Sequence, residues 1–114
     1  MKITFATKKL MKQLNEGKTM VKVHGPRRAK LLQVVLASLR AAPNLGVLAP
    51  PFSKPNRCHE LTGKLKGVFS VDLDHPYRLL FKPIDDPLPM REEGGLDWYK
   101  VTVIEIQGVE DTHG

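Results

Sequence analysis

Side chains able to move protons or hold a phosphate are concentrated in the second half of this 114-residue chain: His59, Lys64, Lys66, Arg78 and the closing run Glu110-Asp111-Thr112-His113. Metal-free cleavage of RNA needs a base for the ribose 2′-hydroxyl, cations to offset charge on a pentacoordinate phosphate, and an acid for the leaving 5′-oxygen. Histidine, arginine, lysine and carboxylate cover those roles. Each residue also has a plainer reading. His113 sits one residue from the end, where chains usually fray into solvent. Arg78 can pair with Asp72 or Asp74 across a hairpin, a surface arrangement of small energetic weight. Lys64 and Lys66 flank Gly63 and Gly67 and read equally as loop cations, and His59 as a cap on a strand edge. Tyr77 and Phe81 are expected in the core, with Trp98 pinning a long loop to the sheet.

Other chemistries lack their signatures. The chain has no P-loop, GxGxxG, GxSxG or HExxH, which disfavours nucleotide hydrolysis, dinucleotide binding, serine hydrolysis and zinc proteolysis. Among the four histidines and the one cysteine only Cys58 and His59 stand close in sequence, and adjacent residues rarely make a tetrahedral site alone, so a structural metal is not expected. A single cysteine forms no internal disulfide, and Met1-Lys2-Ile3-Thr4-Phe5 carries no hydrophobic signal core, which points to a reducing cytoplasm. The longest apolar stretch, Leu31 to Leu39, is interrupted by Gln33 and falls far short of the roughly 20 residues that span a bilayer, so no membrane partner is expected.

Charge is polarised along the chain. Residues 1 to 66 carry +12 and residues 67 to 114 carry −6, within a net charge of +6. A basic half of this kind suits a polyanion, because neutralising phosphates releases condensed counterions and supplies affinity independent of sequence. The plain alternative is lysine on solvated helix faces.

The elements that must position these groups are legible from periodicity. Lys2 to Phe5 reads as a short strand. Thr7 can cap a helix running to about Glu16, with Leu10 and Leu14 on its apolar stripe and Gly17 as its stop. Gly25-Pro26 marks a turn, and Pro26 opens a longer helix ending near Ala42, whose Leu32, Val35, Leu36 and Leu39 define a buried face. Arg27, Arg28 and Lys30 crowd its first turn, where the helix dipole disfavours cations, so a compensating anion, or solvent, is expected there. Pro43 to Asn56, with four prolines, reads as a linker. Beyond it the period drops to two: Phe69, Val71 and Leu73 form one strand, and Tyr77, Leu79 and Phe81 a second, paired as a hairpin about His75-Pro76. An acidic loop from Pro83 to Tyr99 precedes a third strand, Lys100 to Gln107, expected to be buried on both faces in mid-sheet. The order β-α-α-β-β-β implies one α+β domain over residues 1–114, two helices packing on one face of a mostly antiparallel, twisted sheet.

Taken together, several runs resemble a known family. They are Arg57-Cys58-His59-Glu60-Leu61-Thr62-Gly63-Lys64-Leu65-Lys66-Gly67, Phe69-Ser70-Val71, His75-Pro76-Tyr77-Arg78-Leu79-Leu80-Phe81, Gly94-Gly95-Leu96-Asp97-Trp98 and Val109-Glu110-Asp111-Thr112-His113. In order and spacing they are similar to the HigB, or plasmid-maintenance killer, branch of the RelE/ParE toxin superfamily. The resemblance implies a RelE-like fold and the toxin of a type II toxin-antitoxin pair, an endoribonuclease that cuts mRNA, commonly on the 70S ribosome. It implies a HigA-like helix-turn-helix antitoxin as partner and no cofactor. Position by position, His59 resembles the active-site histidine, Arg78 the phosphate-binding arginine, and Asp111 and His113 the acidic residue and histidine of a terminal Asp-Tyr-His motif. Lys64 and Lys66 fall in the basic segment that binds RNA. Thr112 stands where many relatives carry tyrosine, and its hydroxyl can hydrogen-bond to RNA but cannot stack on a base. The competing expectation is a non-catalytic protein, either a ParE-like gyrase inhibitor or a degenerate toxin that only binds its antitoxin. A plain RNA-binding domain is a third, disfavoured by an aromatic content of 6%, too low for a dedicated stacking platform.

Overall fold

The computed structural model describes residues 1–48 and 58–111. Strand β1 (Lys2–Phe5) leads into helix α1 (Lys8–Asn15), whose first turn is capped by the Thr7 hydroxyl accepting from the Leu10 backbone N–H at 3.1 Å. Helix α2 (Gly17–Ala41) follows at once. It is broken at Gly25, whose φ of 82° lies in the left-handed region, just before Pro26, which has no N–H to continue the helical ladder. The expected turn at Gly25-Pro26 is therefore present, with Pro26 opening the expected long segment. Gly17 is not the stop: α1 ends on Glu16 in an extended conformation, and Gly17 starts the next helix. The stretch from Lys18 to His24 is helical although its Val21 and Val23 suggest otherwise; both are exposed, and Met20 supplies the buried contact.

A 3-10 turn, Leu45–Leu48, closes the helical half. The rest of the expected linker, residues 49 to 56, lies outside the described residues, as does Arg57. Three antiparallel strands come next: β2 (His59–Glu60), β3 (Phe69–Asp72) and β4 (Tyr77–Pro83). The last strand, β5 (Val103–Asp111), starts three residues later than expected, because Trp98–Lys100 form a 3-10 turn, and runs four residues further. The sheet order is β1-β5-β4-β3-β2, all antiparallel except β1 with β5. The chain is thus an α+β domain with two helices against a five-stranded, mostly antiparallel sheet, one short edge strand more than the periodicity shows.

Alternation fixes the core. Phe69 and Val71 of β3, Leu79 and Phe81 of β4, and Ile104 and Ile106 of β5 are buried on one face, against Leu32, Val35, Leu36 and Leu39 of α2. Trp98 also packs there, edge-on to Phe69 at 4.8 Å between centroids, so it does pin the loop to the sheet. β5 lies in mid-sheet as expected but is not buried on both faces: Val103 and Glu105 are only half-buried, since the helices cover a single side. The Asp85 carboxylate fastens the acidic loop to the start of β5, accepting from the Thr102 hydroxyl at 2.8 Å and from the backbone N–H of Thr102 and Val103. Burial pushes the Asp85 carboxyl up, but these hydrogen bonds outweigh it and hold the group below the usual carboxylate range.

No helix among the described residues is long and apolar enough to cross a membrane.

Candidate active site

The opposite, helix-free face of the sheet carries the polar groups. Register pairs His59 with Ser70, and Asp72 with Arg78, which in turn pairs with Glu110. Directly paired residues share a face, so His59, Ser70, Asp72, Arg78 and Glu110 all lie on the side away from the helices. Strand β3 organises them. Its Ser70 Oγ sits 3.3 Å from His59 Nε2 on the edge strand, and Asp72 Oδ1 sits 3.3 Å from Arg78 Nε on the central strand. Ser70 and Asp72 are two residues apart, so the imidazole and the guanidinium are held one step apart on either side of the same strand. Ser70 is fully buried, which makes its hydroxyl a fixed anchor for the ring.

Of the two plain readings for Arg78, pairing across the hairpin is realised with Asp72. Asp74 is taken by another cation. Arg28, in the first turn after the α2 break, donates to both Asp74 oxygens at 2.8 and 3.1 Å, and its guanidinium lies over the Tyr77 ring at 3.6 Å from the centroid. Asp74 is the compensating anion expected for that basic turn. The Arg28 hydrogen bonds hold the Asp74 carboxyl below its usual range, against the opposing effect of burial. Close by, His24 is half-buried and its Nε2 has no hydrogen-bond partner among the described residues. Burial lowers the His24 pKa, the positive charge of Arg28 lowers it further, and Asp74 opposes both.

The remaining expected site residues are dispersed. Lys64 and Lys66 are exposed on the turn between β2 and β3, whose Gly63 and Gly67 adopt positive φ. Lys66 lines a cavity of about 300 Å³ with Glu60, Phe69, Pro83, Leu88 and Met90, on the Phe69 side of the sheet rather than the Arg78 side. Asp111 is exposed and pairs with Tyr77, so alternation turns it toward the helix side, away from Arg78. Thr112 and His113 lie outside the described residues. Cys58, next to His59, is buried, and that burial pushes its thiol up to about 12, which removes it as a nucleophile.

Of the three further participants, only Ser70 escapes the sequence reading; Asp72 is anticipated as a partner of Arg78 and Glu110 as part of the closing run, but without their places in the site. Ser70 and Asp72 act as holders, and their signal is the period-two pattern that sets both on the Arg78 face. Glu110 joins that face through an irregularity in β5 that no residue pattern marks. Among the described residues no three His, Cys, Asp or Glu side chains gather as a metal site.

The geometry defines a class before any family: an α+β domain with a histidine and an arginine, each held by β3, on the sheet face away from the helices. Neither a protein-family model nor a curated protein matches the chain.

Proposed function

We propose that this protein is the toxin of a type II toxin-antitoxin pair, a HigB-like endoribonuclease that cleaves mRNA, in most cases on the ribosome. The observation that carries the reading is the pairing of His59 with Ser70 and of Arg78 with Asp72 on one face of the sheet. A guanidinium offsets charge on the phosphate as it becomes pentacoordinate, and the imidazole on the same face protonates the departing 5′-oxygen. In this reading His113 shares the proton transfers with His59, and Asp111, turned to the helix side of β5, orients the chain end rather than meeting the phosphate at Arg78. Lys64 and Lys66 draw in the RNA backbone. Thr112 contributes a hydrogen bond in place of the aromatic stacking of relatives. The charge excess of the first 66 residues supplies the non-specific grip on RNA that a ribosome-bound nuclease requires. The matching partner is a HigA-like antitoxin, and the matching compartment the cytoplasm.

Expression of the chain alone, with and without the neighbouring open reading frame, tests this. Growth arrest with mRNA cleavage, relieved by the neighbour and by Arg78→Ala or His59→Ala at unchanged soluble yield, is the expected result. Healthy growth at verified soluble expression overturns the toxin reading. Intact mRNA alongside inhibited DNA supercoiling would instead identify a gyrase inhibitor.

A further inference from the structure

The face on which each carboxylate of the chain end lies is set by one extra residue. At the start of β5, Ile104 pairs with Pro83 and Ile106 with Phe81, both directed at the helices. Unbroken pairing from Ile106 would send residues 108 and 110 to the helix side, set Val109 opposite Arg78 and turn Asp111 to the Arg78 face. The register does not continue that way. It steps from Ile106 opposite Phe81 to Gly108 opposite Leu80, leaving Gln107 without a counterpart on β4. An extra residue of this kind is a β-bulge, a device that re-aims the side chains beyond it.

Three observations agree on the result. Val109 packs against the hydrophobic core, so the odd positions have turned inward. Gly108 is paired with Leu80 and Glu110 with Arg78. The Glu110 Oε1 lies 3.9 Å from the point a Cβ on Gly108 would occupy, so the carboxylate folds back over Gly108 on the Arg78 side. Cross-strand partners have Cβ atoms about 4.5–5.5 Å apart, which puts the exposed Glu110 carboxylate within reach of a phosphodiester gripped by Arg78. Arg78 is also oriented from its other flank by Asp72.

We propose that Glu110 is the general base of this site, an inference that rests on the ribonuclease reading above. The Glu110 carboxylate takes the proton of the ribose 2′-hydroxyl. The freed oxygen pair forms the new bond to phosphorus, with the phosphate charge held against Arg78. The bond from phosphorus to the 5′-oxygen breaks, its electron pair leaves with that oxygen, and an imidazolium, that of His59 on the same face, supplies the proton. The products are a 2′,3′-cyclic phosphate and a 5′-hydroxyl, with no redox change and no co-reactant.

The test uses the full chain, end-labelled mRNA and assays with and without 70S ribosomes. Glu110→Gln keeps the shape of the side chain and removes its basicity. It is expected to slow cleavage by about 10²- to 10⁴-fold and to abolish the acid limb of the pH–rate profile, with partial recovery in Glu110→Asp. Its loss should exceed that of Asp111→Asn, and circular dichroism should show an unchanged fold. A Glu110→Gln rate within about threefold of the parent, or an acid limb that survives the substitution, overturns the assignment. Arg78→Ala separates this from the underlying reading: if the parent cleaves and Arg78→Ala does not, the nuclease reading stands whatever Glu110→Gln does. A parent that cleaves no RNA in either assay overturns both.

Discussion

Arg28 binds both carboxylate oxygens of Asp74, 46 residues away in sequence, at 2.8 and 3.1 Å. The contact ties the first turn after the α2 break to the β3–β4 turn, and hence to the hairpin that presents Arg78. Both side chains are 19% exposed, so solvent screens the pair only in part. Charge-assisted hydrogen bonds in such settings contribute about 1.5–3 kcal/mol, and removing one partner leaves the other charge under-satisfied. Arg28→Ala and Asp74→Asn are each expected to destabilise the protein by about 1–3 kcal/mol in urea unfolding, with the double variant little worse than either single one. Fully additive losses would show that the two residues act separately.

The same cluster makes stability depend on pH in two separate windows. The His24 pKa is lowered in the folded state from an ordinary 6.5, so folding favours the neutral ring. That contribution is present above pH 6.5 and is lost as the pH falls below it, because the unfolded chain takes up the proton first. The Asp74 pKa is lowered from 3.8, so its contribution is present above that value and disappears as the pH falls through the folded-state value. Thermal melts from pH 8 to pH 3 should therefore show a first decline below pH 6.5 and a second in the carboxylate range. His24→Gln should remove the first alone, and Asp74→Asn should weaken the second. A melting temperature unchanged between pH 7.5 and pH 5.5 in the parent would contradict the burial of His24.

Gly46 marks a close approach that composition does not reveal. A Cβ at this position would stand 2.5 Å from Cγ and Cδ1 of the Tyr99 ring, so the Leu45–Leu48 turn meets the Trp98–Lys100 turn with no room for a side chain. Contact at the root of the ring cannot be relieved by its far end moving; the whole side chain must swing out. Gly46→Ala is expected to cost about 1–3 kcal/mol, the usual range for overpacking. Since Tyr99 is largely exposed, Tyr99→Ala should remove most of that cost in the double variant. A Gly46→Ala penalty that persists without the ring would place its cause in the backbone.

Where the sequence was informative, the physics was local. Thr7 caps α1 because its hydroxyl reaches the Leu10 N–H, and Leu32, Val35, Leu36 and Leu39 are buried because a 3.6-residue period gives them one face. The hairpin around His75-Pro76, and with it the Asp72–Arg78 pair, follows from a period of two. The failures involve relations between distant segments. Residues 18 to 24 are helical because Met20 finds the core, against the preference of Val21 and Val23. The short strand β2 exists only because β3 offers it an edge. The Gln107 bulge is a property of the β4–β5 ladder, and Ile104-Glu105-Ile106-Gln107 gives no sign of it. Within the candidate site, Arg78, His59, Glu110 and the Asp72 partner were therefore legible as residue types, whereas the Ser70 anchor and the face on which Glu110 lies required the register.

Ser70 provides the most direct check on how His59 is held. Its hydroxyl, fully buried, has the imidazole Nε2 at 3.3 Å. A buried hydroxyl with no role would be replaced by a methyl or hydrogen at little cost, because Ser→Ala removes one polar atom and almost no volume. If Ser70 orients the ring, Ser70→Ala frees His59 to sample rotamers that point away from the Arg78 face. The hydrogen bond contributes about 1 kcal/mol, so the expected loss is about fivefold to tenfold in the cleavage rate constant with little change in KM. Ser70→Thr, which keeps the hydroxyl, should restore part of the rate wherever its extra methyl is accommodated. The ring nitrogen chemical shifts of His59 followed by NMR should change in Ser70→Ala, since the ring loses a partner that biases its tautomer. Unchanged ring shifts together with an unchanged rate would show that the 3.3 Å contact is incidental and that another part of the site sets the orientation of His59.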